Sequence, residues 1–134
     1  MAFEGLMKGK RGLVMGVAND RSIAWGIAQA LHEAGAELAF TYQGDAFRKR
    51  VIPLVEPMKP AAVLDCDVTN QGSLDAVFEE LKRKWDSLDF LVHAIAFSDK
   101  EQLKGRYVDT TADNFAMTMN ISCYSLTACA QRAE

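Results

Sequence analysis

Apolar residues fall along this chain in two rhythms, short unbroken runs and longer stretches at helical spacing. Leu13, Val14 and Met15 form the first run, of the kind a buried parallel strand needs, and Gly16 ends it. A polar loop, Val17 to Arg21, leads to Ser22, and from there Ile23, Ile27 and Leu31 recur at helical spacing. The small residues Ala24, Gly26, Ala28 and Ala30 lie between them, with Ala24 and Gly26 expected to make the close helix–strand contact. Gly35 is the expected C-terminal cap, and Glu37 to Tyr42 reads as a second strand ending at Gln43-Gly44.

The second half continues the alternation. Ala46 to Met58 has helical character, and Pro53 is expected to kink or divide it. Ala61 to Cys66 reads as a third strand, followed by Asp67-Val68. Leu74, Val77, Phe78, Leu81 and Trp85 define an amphipathic helix whose exposed face carries Glu79, Glu80, Lys82 and Lys84. Leu88 to Ile95 is apolar almost throughout, as for a strand covered on both faces. A long loop, Phe97 to Thr111, mixes charge with aromatic residues, and loops of this length are often functional. From Ala112 a helix is expected to the last residue, capped by Thr110 or Thr111, with Phe115, Met119 and Leu126 among its buried positions.

Strands alternating with helices predict an α/β fold: a Rossmann-type parallel sheet with helices on both faces, strand order 3-2-1-4. Gly16, Asp67 and Ala94 to Ala96 then all stand at strand C-termini, which converge on the crevice between strands 1 and 4. A ligand touching all three must be extended, and a dinucleotide has that length. The helix beginning at Ser22 turns its unpaired N–H groups toward the same place, an anion site.

Bulk properties narrow the classes. The 134 residues fit one domain, and 49% hydrophobic with 25% charged residues is ordinary for a soluble globular chain. A net charge of -3 gives no reason to expect nucleic-acid binding. Cys66, Cys123 and Cys129 are odd in number and lack C-x-x-C spacing, so neither a disulfide framework nor a zinc site is implied, and reduced thiols fit a cytoplasmic protein. No stretch has the length of a membrane span, and the N-terminus MAFEGLMKGKRG has an early acid and no apolar core of a secretory signal. No repeat, low-complexity segment or linker marks a second domain.

The candidate chemistry is uneven in strength. Of the three glycines in the usual dinucleotide fingerprint only Gly16 is in place, so an ordinary β–loop–α unit accounts for that stretch equally well. Ser22 can cap the helix or donate to a phosphate. Gln43 stands where an acid commonly holds the adenosine ribose, about twenty residues past the glycine loop. It carries no charge, and no cation follows until Arg48, which favours NADH over NADPH unless Arg48, Lys49 and Arg50 fold back. Asp67 can accept from an adenine amino group while Val68 covers the ring; the plainer reading is a turn residue. His93, in a strand, reads as a satisfied core residue and not as a base. Tyr42 and Lys49, seven positions apart, lie on the adenosine side of the crevice, and their spacing alone does not make a catalytic pair.

Together GVANDRSIAWGIA, TYQGD, CDVT, FLVHAIAFSDKEQLKGRYVDTT and NISCYS resemble the bacterial enoyl-[acyl-carrier-protein] reductases of the divergent short-chain dehydrogenase/reductase type, from about Leu6 onward. The late Ser-Ile-Ala replaces the T-G-x-x-x-G-x-G of ordinary short-chain dehydrogenases, and HAIAF replaces their N-N-A-G. The resemblance implies that Gly16, Ala18, Ser22 and Ile23 surround the pyrophosphate and the nearby nicotinamide end. It puts Gln43 by the ribose and Asp67 and Val68 at the adenine. Ala94, Ile95 and Ala96 would run beside the ribose and nicotinamide, with Ile121 below the ring. Ser98 and Leu103 would border the acyl pocket. Relatives often have Ser-Ile-Gly where this chain has Ala94-Ile95-Ala96, which removes a hydroxyl at 94.

The activity so implied is NADH-dependent reduction of trans-2-enoyl thioesters carried on acyl carrier protein, in fatty-acid elongation, by a cytoplasmic homotetramer. Its catalytic Tyr-x6-Lys belongs after the long final helix, so no catalytic residue is expected within this chain, which reads as the N-terminal part of a longer single-domain enzyme. The alternatives are another short-chain dehydrogenase acting on carbonyls or alcohols, which HAIAF argues against, and a non-catalytic nucleotide-binding domain.

Overall fold

The computed structural model describes residues 3–134. Four strands, β1 (Arg11–Met15), β2 (Glu37–Tyr42), β3 (Ala62–Asp65) and β4 (Phe90–His93), form one parallel sheet in the order β3-β2-β1-β4. Five helices connect and cover them: α1 (Ile23–Glu33), α2 (Gly44–Val55), α3 (Gln71–Lys84), α4 (Ala112–Met119) and α5 (Ser125–Ala133). The expected order is the observed one.

Alternation along β1 builds the two core layers. Leu13 and Met15 face α3 and α5, packing with Leu74, Val77, Phe78, Leu81, Trp85, Ala128 and Cys129. Val14 points the other way, where Leu38 and Phe40 of β2 meet Ala24 and Ala28 of α1 and Val51 and Val55 of α2. With neighbours on both sides and helices on both faces, β1 has no solvent contact at Leu13, Val14 or Met15. The strand is therefore a rigid base for the loop that follows it.

Several expectations need correction. Ala24 and Ala28, not Gly26, bring α1 onto the sheet; Gly26 is exposed and faces open space, and Ile23 is exposed as well. Pro53 does not divide α2. It stands in the last turn, where it removes one backbone donor shortly before the helix tightens into a 3₁₀ turn at Glu56–Met58. β4 is only half-buried along its length, because it is the sheet's edge and has a strand on one side alone.

The final helix is not uniform. A π-turn, Asn120–Tyr124, separates α4 from α5. Phe115, Met119 and Leu126 are exposed, and the positions turned inward are Asn114, Ser125, Ala128 and Cys129. Small and hydrogen-bonded side chains let this helix lie close to β4 and α3, which three larger apolar residues would prevent. Thr111 caps α4, its Oγ1 accepting the Asn114 N–H. Arg132 fastens α5 to α3 by donating to the Asp75 carboxylate at 2.6 Å and to Gln71.

Candidate cofactor site

A groove of about 490 Å³ runs across the carboxyl ends of the strands, within the range of small-molecule sites. One end is built from β2 and β3 with the turns after them: Thr41, Tyr42, Gln43, Phe47, Cys66, Asp67, Val68 and Thr69. Gly16, Val17 and Ala18, after β1, form its middle. The other end is Ala94, Ile95, Ala96 and Phe97 after β4, closed by Met117 and Ile121 of the final helix. Residues spread over a hundred positions of sequence meet here because every strand of a parallel sheet delivers its C-terminus to the same edge.

The middle is shaped by Gly16. Its φ is +113°, and a Cβ there would stand 2.1 Å from the carbonyl oxygen of Ala94. Any side chain would collide with backbone, so only glycine lets the first and fourth crossings approach this closely while leaving a flat floor. The loop beyond is tied by Ser22, whose Oγ accepts the N–H groups of Ala18 at 2.9 Å and Asn19 at 3.0 Å. Ser22 is the N-cap of α1 but makes no side-chain bond into the helix. Two consequences follow for an anion. The amides of Ala18 and Asn19 are already used, whereas those of Ile23 and Ala24 have no acceptor among the described residues, and the Ser22 hydroxyl proton is likewise uncommitted. These three donors at the positive end of α1 suit a diphosphate.

At the adenosine end Asp67 is preorganised. Its Oδ1 accepts from both the N–H and the hydroxyl of Thr69, at 2.9 and 2.7 Å, and its own N–H donates to Ser73 Oγ. Oδ2 has no partner among the described residues and is left for a donor such as an adenine amino group. Cys66 beside it is buried, which pushes its thiol up to about 11, so it serves as an apolar wall and not as a thiolate. Tyr42 lines the groove, but Lys49 borders a separate hollow with Asp45, Arg48, Ile52 and Pro53, so the two do not form one site.

At the other end the π-turn sets the wall. It directs the Ser125 N–H to the Asn120 carbonyl, and the Ser125 hydroxyl donates to the Ile121 carbonyl at 2.6 Å. Ser125 Oγ then accepts from His93 Nε2, also at 2.6 Å. His93 is thus satisfied, and burial lowers its pKa, which keeps the ring neutral. Ser122 Oγ brackets the Phe97 backbone, accepting its N–H and donating to its carbonyl. Together these bonds fix Ala94 to Phe97 opposite Ile121.

Of the positions singled out from sequence, Gly16, Ala18, Gln43, Asp67, Val68, Ala94, Ile95, Ala96 and Ile121 line one groove. Ser22 stands behind it, shaping the loop, and Ile23 projects into solvent. Ser98 and Leu103 do not line it. Ser98 accepts from Thr118 and Asn114 inside a polar network that organises the loop after β4, and Leu103 is 72% exposed on a 3₁₀ turn. Thr41, Phe47, Thr69, Phe97 and Met117 were not foreseen. For Thr41, parallel register beside Met15 was a usable signal, since it puts Thr41 at the same sheet edge as Gly16. Met117 had none, because its facing depends on how the final helix is set by the π-turn.

Among the described residues, no group of three or more His, Cys, Asp or Glu is placed to hold a metal, and no helix is long and apolar enough to cross a membrane. Comparison with known proteins accords with the geometry. The chain is 62% identical over 130 residues to enoyl-[acyl-carrier-protein] reductase [NADH] 1 of Rhizobium meliloti (strain 1021), covering 97% of this chain and 48% of that protein. It superposes on the enoyl-(acyl-carrier-protein) reductase of Anaplasma phagocytophilum, solved in complex with NAD, with a TM-score of 0.93 and 53% identity over 97% of this chain and 50% of that one. FabI from Candidatus Liberibacter asiaticus gives a TM-score of 0.94 at 52% identity, with the same coverage. The chain spans about half the length of the curated relatives it matches. The family model described as Enoyl-(Acyl carrier protein) reductase matches residues 16–134, and the chain belongs to that family.

Proposed function

We propose that these residues form the cofactor-binding part of an enoyl-[acyl-carrier-protein] reductase, which reduces trans-2-enoyl thioesters with NADH in fatty-acid elongation. The observation that carries the reading is the continuity of the groove from Asp67 past Gly16 to Ala94 and Ile121, in a chain of this family. With NADH held there, the chemistry supplied would be hydride transfer to C3 of the enoyl group.

The chain's own residues bind and orient. Ile23 and Ala24 amides with the Ser22 hydroxyl take the diphosphate, Asp67 and Val68 hold the base, and Gln43 lies at the adenosine ribose. Ala94, Ile95 and Ala96 run along the other ribose, and Ile121 supports the nicotinamide from the helix side and excludes water from it. Ser98 borders the acyl site indirectly, by holding the loop that carries Phe97, and Leu103 is an exposed apolar residue on the acyl side of that loop. None of these groups is a proton donor for the enolate oxygen. That role falls to a Tyr-x6-Lys pair on chain beyond the long helix, by the logic of preorganised donors aimed at developing charge. The reading extends to a cytoplasmic homotetramer acting on acyl carrier protein-linked substrates, and to one Rossmann domain completed by further chain against β4.

Protein containing these residues in its full length should oxidise NADH when given crotonyl or longer enoyl thioesters, followed by loss of nicotinamide absorbance. Absence of oxidation by folded protein that binds NADH would reject the reductase assignment and leave a nucleotide-binding domain.

A further inference from the structure

Asp65 does not line the groove but stands next to its adenosine end, immediately before the lining residues Cys66 and Asp67. It closes β3, in register with Tyr42 at the end of β2. Its Oδ1 accepts the N–H of Gly44 at 3.0 Å. Gly44 is the first residue of α2, a twelve-residue helix whose N-cap, Gln43, makes no side-chain bond to it. The helix is therefore capped from the neighbouring strand. We propose that Asp65 sets cofactor choice by excluding the 2′-phosphate of NADPH from the adenosine ribose site, an inference that rests on the dinucleotide reading above.

Two independent observations support this. First, the first amide of a helix is where an anion finds donors, and here the protein's own carboxylate already occupies it. An incoming phosphate must displace that carboxylate or lie beside a like charge. Second, no cation offsets the charge. Among the described residues Asp65 has no Lys or Arg partner, and it is exposed, beside the groove without lining it. Arg48 and Lys49 turn instead to the hollow shared with Asp45, Ile52 and Pro53, whereas the α2 residue that enters the groove is Phe47. None of Arg48, Lys49 and Arg50 lines the groove.

The usual arrangement puts the discriminating acid at the end of the second strand. In this chain that place is taken by uncharged Gln43, and the charge arrives from one strand over. A ribose 2′-hydroxyl carries no charge for Asp65 to repel, whereas a 2′-phosphate beside it meets like charge.

The test is the dissociation constants of NADH and NADPH for the full-length protein, read by nicotinamide fluorescence in wild type, Asp65→Asn and Asp65→Ala. Asp65→Asn keeps an acceptor for the Gly44 N–H, which guards against a loss of folding. Both variants should bind NADPH about tenfold more tightly than wild type does, with the gain shrinking as salt is raised, and NADH affinity should stay where it was. Unchanged NADPH affinity in both variants, with NADH still binding, overturns the role of Asp65 alone. Failure of folded wild-type protein to bind either nucleotide overturns the dinucleotide reading and this inference with it.

Discussion

Gly16 and Ala94 approach so closely that a single methyl group cannot stand between them: a Cβ on Gly16 would lie 2.1 Å from the Ala94 carbonyl oxygen. The two residues directly follow β1 and β4, and their contact sets the floor of the groove. Gly16→Ala pays twice, through the positive φ and through the clash. We expect a loss of about 2–4 kcal/mol in denaturant unfolding, with NADH binding lost beyond the share explained by stability. A variant with near-normal stability and binding would show that the floor is not as rigid as drawn.

Ser125 links His93 to the Ile121 carbonyl. Ser125→Ala strands a ring N–H and a carbonyl together and should cost about 1–3 kcal/mol. His93→Ala should lower stability more than turnover, since the ring is a structural tie. The pH dependence has a definite sign. Burial lowers the folded-state pKa of His93 below its ordinary value of 6.5, so the unfolded chain binds the extra proton first. The contribution to stability is present above the ordinary value and is lost as pH falls through it. Urea unfolding between pH 5 and 8 should show part of this slope vanish in His93→Gln.

Asn114 is buried and satisfies three partners from its side chain, accepting the Asp99 N–H and donating to Ser98 and Thr110. Asn114→Leu removes all three bonds without opening space. We expect a loss of about 2–3 kcal/mol and faster proteolysis within 97–111, with cleavage sites confined to that loop. Cleavage spread evenly over the chain would mean that Asn114 supports the whole domain.

Ile121 is half-buried where the π-turn meets the groove. Ile121→Ala should raise the KM for NADH by about three- to tenfold, the value of its apolar area, with little change in melting temperature. An unchanged KM would remove Ile121 from the cofactor wall.

Much of this was legible in the residues. Glu37 to Tyr42 was delimited correctly because a β-rich run lies between Gly35 and Gly44, two punctuating glycines that both adopt positive φ. The Leu74 to Trp85 stripe announced its buried face by spacing alone. Phe115, Met119 and Leu126 misled because apolar spacing shows that a helix has an apolar face without showing what that face meets. Here the inward positions are Asn114, bonded to the loop after β4, and Ser125, bonded to His93 of β4, and those hydrogen bonds make polar groups cheap to bury. Ser22 was recognised at the helix start, yet its role as the acceptor that folds the preceding loop depends on backbone geometry that no spacing records. The π-turn was invisible for the same reason.

A crystal structure of the full-length protein soaked or grown with NAD would test the placement of the dinucleotide most directly. The diphosphate should rest against Gly16 with the Ile23 and Ala24 amides, the adenine against Asp67 and Val68, and the nicotinamide between Ala96 and Ile121. A cofactor bound elsewhere, or a groove still filled by protein side chains at saturating nucleotide, would contradict it.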